Sequence, residues 1–128
     1  LYDGDVLALF DAAEKGELAK LDAPKAPKGS SAIVVLASEG YPGTYAKGKV
    51  VTGIEEAEKN GAQVLHAGTK MQDGNLVTNG GRVFGVVGHG ATLKEALDIA
   101  YAACEKVEFE GKFYRKDIGK KGLARLSK

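Results

Sequence analysis

One segment in the second half of the chain has the pattern of a long amphipathic helix. It begins at Thr92, a good N-cap residue, and Glu95 stands at the third helical position, which is the spacing of a capping box. Apolar or weakly polar residues then recur at i, i+3 and i+4, namely Leu93, Ala96, Leu97, Ala100, Tyr101 and Cys104. Charged residues fall between them, so we expect one buried stripe and one side in water.

Strand-like segments precede this helix. The run 32–37 is short, apolar and β-branched, which is typical of a buried strand. Tyr41-Pro42-Gly43 ends that run as a turn, because Pro fixes φ and Gly accepts a positive φ. Thr52 and Glu55 have capping-box spacing, so we expect a short helical turn that Asn60-Gly61 terminates.

Two reversals connect the next segments. Asp73-Gly74 lies between the strand-like runs 64–69 and 76–79 and favours a β-hairpin. Asn79-Gly80-Gly81 makes a second reversal into the run 82–87. The segment 107–110 alternates apolar with acidic residues and predicts one more half-buried strand. The pattern as a whole predicts an α+β domain: an antiparallel β-meander with one long and one short helix.

An isolated helix is predicted before this domain. Between Asp5 and Lys15, four apolar residues have helical spacing, with Asp5 as the cap and Gly16 as the stop. The stretch 21–31 is rich in proline, serine and lysine and reads as a linker. We therefore divide the chain into residues 1–29, a helix plus linker, and residues 30–128, the main domain.

The bulk composition excludes several classes of protein. With a net charge of +1, the chain lacks the excess of basic residues expected of a nucleic-acid-binding protein. No apolar run approaches the roughly 18 residues of a membrane span. One cysteine, Cys104, allows no internal disulfide and fits a reducing compartment, so we expect a cytoplasmic protein. The chain begins at Leu1 rather than at methionine, and we expect it to be a piece of a longer protein.

No catalytic or metal-binding motif stands out. The two histidines have no Cys or carboxylate at metal-ligand spacing, and His66 fits a structural or hydrogen-bonding role. Cys104 lies on the apolar helical stripe as a small buried residue. No phosphate-binding glycine loop of the Walker type and no dinucleotide fingerprint is present.

Glycines beside basic residues suggest an anion site. Asn79, Gly80 and Gly81 precede Arg82, so backbone N–H groups could approach a phosphate while the guanidinium donates bidentate hydrogen bonds. A simple hairpin turn explains the same glycines. Arg115 and Lys116 could add positive charge to the same anion. They belong to a stretch, 112–128, with seven Lys or Arg against one acid, which reads either as a solvated face or as an anion site.

Lys70 suggests a different function. Biotinyl- and lipoyl-carrier domains present a lysine on a hairpin turn, and Lys70-Met71 lies near the predicted hairpin. Thr69 occupies the position where a biotin carrier has a second methionine, and the long helix from Thr92 does not suit an all-β carrier. This alternative is kept as a third hypothesis.

Five segments together resemble one family. They are Gly40-Tyr41-Pro42-Gly43, His66-Ala67-Gly68-Thr69, Thr78-Asn79-Gly80-Gly81-Arg82, the helix from Thr92, and Arg115-Lys116-Asp117-Ile118-Gly119. In this order and spacing they resemble the carboxy-terminal domain of the phosphoribosylamine–glycine ligases, also called glycinamide ribonucleotide synthetases. The resemblance covers nearly all of residues 31–122. The first helix, residues 1–18, resembles the last helix of that family's ATP-grasp region.

The resemblance implies a part of a purine-biosynthesis ligase. Such a ligase joins glycine to 5-phosphoribosylamine with ATP and Mg²⁺ or Mn²⁺, and yields glycinamide ribonucleotide. The family's nucleotide and metal ligands lie upstream, so we expect no catalytic residue, no metal and no bound cofactor here, and no activity from the isolated chain. The expected partners are the ATP-grasp domains and the ribose phosphate of 5-phosphoribosylamine or glycinamide ribonucleotide.

The resemblance also selects site residues. Arg82, Arg115 and Lys116 are the expected phosphate partners, and Asn79, Gly80 and Gly81 allow close backbone approach. Thr69 is a further polar candidate. A purely structural domain, which completes the enzyme's core without touching substrate, is the second hypothesis.

Overall fold

The computed structural model describes residues 1–25 and 27–126 of the chain. Lys128, the last residue of the basic stretch, lies outside the described residues. The helices are α1 (Val6–Glu14), α2 (Ile54–Glu58), α3 (Leu93–Lys106) and α4 (Lys120–Leu126), with a short 3-10 turn at Leu18–Lys20. The strands are β1 (Ser30–Ser38), β2 (Gln63–His66), β3 (Thr69–Gln72), β4 (Asn75–Thr78), β5 (Arg82–Gly90) and β6 (Lys112–Phe113).

The predicted α+β class with antiparallel strands is confirmed. Four antiparallel strands form one sheet in the order β2-β5-β1-β6, and β3 with β4 forms a separate two-stranded sheet. The run 64–69, predicted as one strand, is therefore divided between two sheets. The division occurs at Gly68, where a Cβ atom would lie 2.6 Å from the Cα of Gly80. The Gly68 amide still donates to the Arg82 carbonyl of β5 at 2.9 Å, and its carbonyl accepts from the Asn79 amide at 2.7 Å, so the chain passes from β5 to the hairpin at this glycine.

Helix α3 covers one face of the four-stranded sheet. Its predicted capping box is present, because the Thr92 side chain accepts from the Glu95 amide and the Glu95 carboxylate accepts from Thr92. Its buried side meets β1 and β5 across the core. The fully buried large side chains there are Phe84, Leu36, Val34, Val83, Val86, Val107, Thr78 and Cys104. Burial raises the pKa of the Cys104 thiol to about 12, as suits a buried residue of the core.

The opposite face of the sheet is open. In β1, Val34 and Leu36 are fully buried, whereas Ile33 and Val35 are 49% and 40% exposed. The prediction of a buried strand therefore holds for only one face of β1. Successive side chains of a strand point to opposite faces, and α3 covers one of those faces.

Two local predictions differ from the structure, and one helix was not predicted. Helix α2 begins after Gly53, which has φ +81°, so Thr52 does not cap it. Thr52 instead forms an isolated bridge with Glu108. The segment 107–110, predicted as a strand, forms this isolated bridge instead of a longer strand. Its residues alternate between buried and exposed, as expected. Helix α4 was not predicted, because its segment was interpreted as part of a basic stretch and not as a helix.

The amino-terminal helix has the predicted cap and stop. The Asp5 carboxylate accepts from the amides of Leu7 and Ala8, and Gly16 follows with φ +69°. Leu7 and Phe10 are 77% and 66% exposed, so the helix presents uncovered apolar side chains. The division of the chain at residues 29 and 30 stays a prediction. In the described part of the chain, no helix combines the length and hydropathy that a bilayer crossing requires.

The first prediction concerns the contact between α3 and β5. A Cβ atom at Gly88 would lie 2.1 Å from the carbonyl oxygen of Ala96 and 2.7 Å from the amide nitrogen of Ala100. We expect Gly88→Ala to lower the free energy of unfolding by about 1–3 kcal/mol, because backbone atoms must separate. Gly122→Ala, inside α4, is the matched control, because its Cβ atom would meet only the end of the Leu93 side chain, at 2.9 Å, and no backbone atom. It should cost much less than Gly88→Ala, since a side-chain end can move and alanine favours the helix. Equal effects in urea denaturation would contradict the contact.

A second prediction concerns the end of α3. The Lys112 ammonium donates to the carbonyls of Cys104 and Val107, at 3.1 and 2.7 Å, and to the Glu108 carboxylate at 3.0 Å. Lys112→Met keeps the side-chain length but leaves two helix-end carbonyls without a donor. We expect a loss of about 1–3 kcal/mol in chemical denaturation. Lys94→Met, which breaks the exposed pair with Asp98, should cost less than about 0.5 kcal/mol. Equal losses would show that the capping contacts contribute little.

Candidate functional site

The open face of the sheet carries a cleft of about 700 Å³. Its floor and walls come from β1, β2, β5 and the loops after them. The lining residues are Ile33, Val35, Tyr41, Leu65, His66, Ala67, Gly68, Gly81, Arg82, Phe84 and Gly85. A smaller adjoining cavity of about 280 Å³ shares Ile33, Val35, Tyr41 and Arg82 and extends to Phe113, Arg115 and Ile118. We call the two together the open-face cleft.

Gly85 lowers the floor of this cleft. It pairs with Val35 on one side and with Leu65 on the other, so it lies at the centre of the open face. A Cβ atom there would lie 2.8 Å from the Cδ1 of Ile33. This low point is surrounded by Ile33, Val35 and Leu65, whose exposed fractions are 49%, 40% and 43%. Together these side chains form a contiguous exposed apolar surface at the centre of the open face.

Tyr41 forms one rim of the cleft. The turn after β1 is closed by a hydrogen bond from the Tyr41 amide to the Ser38 carbonyl. The Tyr41 ring lies on Gly81, where a Cβ atom would be 2.1 Å from the ring Cδ2. Gly81 is therefore required for packing beneath an aromatic ring. Gly80 is required by its approach to Gly68, and its carbonyl accepts from the Ser38 hydroxyl at 3.1 Å.

Arg82 and Arg115 converge on the same cavity, one from the start of β5 and one from the segment after β6. Arg82 is exposed and forms no ion pair with the residues that the structure describes. Arg115 donates two hydrogen bonds to Asp117, at 2.9 and 2.7 Å. This pairing lowers the pKa of Asp117 and raises that of Arg115. The free positive charge of the cleft therefore lies at Arg82.

Other predicted site residues lie elsewhere. Lys116, Asn79 and Gly80 do not line the open-face cleft. The Thr69 hydroxyl lies 3.0 Å from the Nδ1 of His66. The His66 ring meets Phe84 edge to face at 5.1 Å and lines the cleft. The hydrogen-bonding role expected for His66 is thus observed, and Thr69 itself does not line the cleft.

Sequence reasoning missed most of the cleft wall. Ile33 and Val35 have the same residue character as their buried neighbours, so the pattern carries no sign of which face is open. Tyr41 was assigned to a turn and Phe113 was not singled out, although both are large, partly exposed aromatic residues. Phe113 lies beside Lys112 and close to Arg115, and this aromatic residue among basic ones was the available signal.

The fold and the cleft can now be compared with known proteins. A family model described as "Phosphoribosylglycinamide synthetase, C domain" matches residues 31–121. The chain belongs to this family. The phosphoribosylamine–glycine ligase of Caldanaerobacter subterraneus subsp. tengcongensis is 47% identical over 118 residues, which are 92% of this chain and 28% of that protein. A "Trifunctional purine biosynthetic protein adenosine-3" of Gallus gallus is 48% identical over 98 residues, 77% of this chain and 10% of that protein.

A solved structure agrees with the family assignment. The crystal structure of the phosphoribosylamine–glycine ligase of Thermotoga maritima matches with a TM-score of 0.71 and 43% identity. The match covers 85% of this chain and 27% of that chain. The predicted resemblance is confirmed, and this synthetase C domain spans about a quarter of the ligases that it resembles.

The carrier hypothesis does not fit the synthetase C domain. Lys70 lies inside β3, opposite Val77, rather than on a turn. The turn itself is formed by Asp73 and Gly74, both with positive φ. A carrier lysine must project from such a turn, so Lys70 lacks the required placement. Within residues 1–25 and 27–126, no group of three or more His, Cys, Asp or Glu residues is placed to hold a metal ion.

A third prediction concerns Tyr114, which lines the smaller cavity and donates to the Glu105 carboxylate at 3.1 Å. Burial, and then this hydrogen bond and charge, raise its pKa from 10.0 to about 12. Glu105→Gln removes the negative charge beside the phenolate, so the pKa of Tyr114 should fall while burial holds it above 10.0.

The measurement is a tyrosinate absorbance titration of each protein minus its Tyr114→Phe counterpart, with circular dichroism to detect unfolding. Asp98→Asn, which removes an exposed carboxylate paired with Lys94, serves as the control and should leave the difference curve unchanged. An unchanged midpoint in Glu105→Gln would contradict the hydrogen bond.

Proposed function

We propose that this synthetase C domain is the carboxy-terminal part of an ATP-dependent ligase of purine biosynthesis. The full ligase joins glycine to 5-phosphoribosylamine and yields glycinamide ribonucleotide. In this proposal the open-face cleft packs beside the remainder of the same ligase, and its basic rim meets the ribose phosphate. The family assignment and the names of the relatives support the reaction. A cytoplasmic site of action is part of the same proposal.

The observation that carries the phosphate role is the convergence of Arg82 and Arg115 on one apolar cavity. A guanidinium group donates bidentate hydrogen bonds that match the geometry of a phosphate. Apolar walls formed by Ile33, Val35 and Phe113 lower the local polarity, and charge-assisted hydrogen bonds strengthen as water is removed. The two arginines therefore have more effect on an anion once a partner surface closes the cleft.

The two arginines have unequal roles in this proposal. Arg82 has no competing carboxylate among the described residues and is the main phosphate partner. Arg115 is already bound to Asp117, so it donates to an anion with its remaining N–H groups while Asp117 opposes further negative charge. Lys116 is exposed beside it and adds long-range attraction. In this proposal the start of β5, and hence the backbone of Arg82, is positioned by Asn79, Gly80 and Gly81.

The exposed aliphatic face supports packing against the rest of the enzyme. Burying apolar surface contributes about 25 cal/mol per Å², so residues such as Ile33, Val35 and Leu65 would stabilise a domain contact. The exposed apolar residues of α1 fit the same partner, since that helix would join the ATP-grasp region. The second hypothesis, a purely structural domain, uses these same contacts without any substrate contact.

ATP and Mg²⁺ or Mn²⁺ belong to the remainder of the ligase in this proposal. The described carboxylates are not placed to ligate a metal ion, and no step of phosphoryl transfer is assigned to this chain. Its residues bind and orient one end of the phosphoribosyl group and exclude water from that end. Correct placement of reacting groups supplies a large share of the rate in such reactions. The isolated chain is expected to show no ligase activity.

A fourth prediction tests Arg82 in the full-length ligase. Removing one charge-assisted donor costs about 1.5–3 kcal/mol, so Arg82→Ala should weaken binding of glycinamide ribonucleotide about 10-fold to 100-fold. Isothermal calorimetry measures this change. Arg125→Ala, which removes an exposed arginine of α4, is the matched control and should bind normally.

A ligand without the phosphate separates the two hypotheses. The dephosphorylated glycinamide riboside should bind weakly and equally to the wild-type ligase and to Arg82→Ala. Unchanged glycinamide ribonucleotide affinity in Arg82→Ala and Arg115→Ala, with only the unfolding temperature lowered, would favour the purely structural domain and overturn the phosphate role.

A further inference from the structure

A tyrosine of helix α3 holds the segment that carries Arg115. The Tyr101 hydroxyl donates to the backbone carbonyl of Arg115 at 3.0 Å. The same oxygen accepts from the backbone amide of Ile118, also at 3.0 Å. One phenol therefore joins both ends of the segment 115–118. We call this segment the arginine loop.

The arginine loop is fixed at further points. Its own side chains close it, through the two hydrogen bonds from Arg115 to Asp117. Ile118 packs against the hydrophobic core. Gly119 follows with φ +78°, and a Cβ atom there would lie 2.5 Å from the Cδ1 of Leu97 on α3. Contacts with α3 thus hold the loop where it follows β6.

We propose that Tyr101 is a positioning residue that sets the Arg115 guanidinium at the wall of the open-face cleft. This inference rests on the proposed function, because it assigns Tyr101 an effect on phosphate binding that acts through Arg115. Tyr101 itself does not line the smaller cavity, whereas Arg115 and Ile118 do. The hydroxyl controls the backbone from which both of those side chains project.

Tyr101→Phe isolates the hydroxyl. The ring contact with Tyr114, at 6.3 Å between centroids, is available to phenylalanine as well. The substitution removes the acceptor of the Ile118 amide and the donor to the Arg115 carbonyl, and both backbone groups then turn to water. The loop gains freedom, so Arg115 spends part of its time away from the cleft. The anion must then restore that order when it binds, which lowers its affinity.

The experiment is a double-mutant cycle in the full-length ligase. Dissociation constants for glycinamide ribonucleotide are measured for the wild type, Tyr101→Phe, Arg115→Ala and the double variant. We expect Arg115→Ala to weaken binding about 10-fold and Tyr101→Phe about 3-fold to 10-fold. Because Tyr101 acts through Arg115, the double variant should bind as Arg115→Ala does. Tyr45→Phe is the control and should match the wild type.

Two further readouts separate positioning from general stability. Amide hydrogen exchange at Ile118 should speed up in Tyr101→Phe while exchange in β1 and β5 stays unchanged. In steady-state kinetics, the KM for 5-phosphoribosylamine should rise while kcat at saturation stays close to the wild-type value. A merely structural effect would instead lower the amount of folded enzyme without altering KM.

The outcomes distinguish this inference from the proposed function. If Arg115→Ala weakens binding but Tyr101→Phe does not, or weakens it equally in both backgrounds, then the positioning role is overturned and the phosphate site stands. If Arg82→Ala and Arg115→Ala both bind normally, then the phosphate site fails and the positioning role fails with it. Faster exchange at Ile118 would then report a structural hydrogen bond alone.

Discussion

Helix α3 packs directly on the backbone of β5, and the rest of the domain is arranged around that contact. Gly88 and Gly90 have no side chains, so the turn of helix at Ala96 lies against the strand itself. This approach buries one face of the sheet and brings the end of α3 near β6 and the chain after it. The Tyr101 hydroxyl of α3 holds the arginine loop, and the carbonyls of Cys104 and Val107, at the end of α3, accept from Lys112 of β6. The position of Arg115 is therefore a consequence of helix packing.

Glycine residues of strand β5 shape both faces of the sheet. Because side chains alternate along a strand, Gly88 and Gly90 face α3 while Gly85 faces the opposite side. On the helix side the missing side chains allow a close backbone contact. On the open side the missing side chain leaves a low point surrounded by Val35 and Leu65. Glycine thus allows close packing of α3 on one face of the sheet and leaves a depression on the open face.

Local signals in the sequence predicted local structure well. The capping box and apolar spacing predicted α3, and Asp73-Gly74 predicted the hairpin, because both depend on residues a few positions apart. The pairing of β1 with β5 depends on a contact between distant segments, and no local pattern selects it. The open face was missed for a different reason. Ile33 and Val35 are as apolar as Val34 and Leu36, so the alternation of residues along the strand indicated no polar face. The structure brings Arg82 and Arg115 to one cavity, but the pairing of Arg115 with Asp117 requires the folded loop.

That pairing makes the charge of the open-face cleft uneven. Arg115 with Asp117 is close to neutral as a unit, and the pairing lowers the pKa of Asp117, so its carboxylate stays charged through the neutral pH range. Arg82, without a carboxylate partner among the described residues, leaves the other side of the same cavity positive. The cavity is therefore more positive beside Arg82 than beside Arg115. Apolar side chains lie between them and contribute shape without competing for either end. The uneven charge is therefore a property of the folded loop, which the residue types of Arg82 and Arg115 alone do not show.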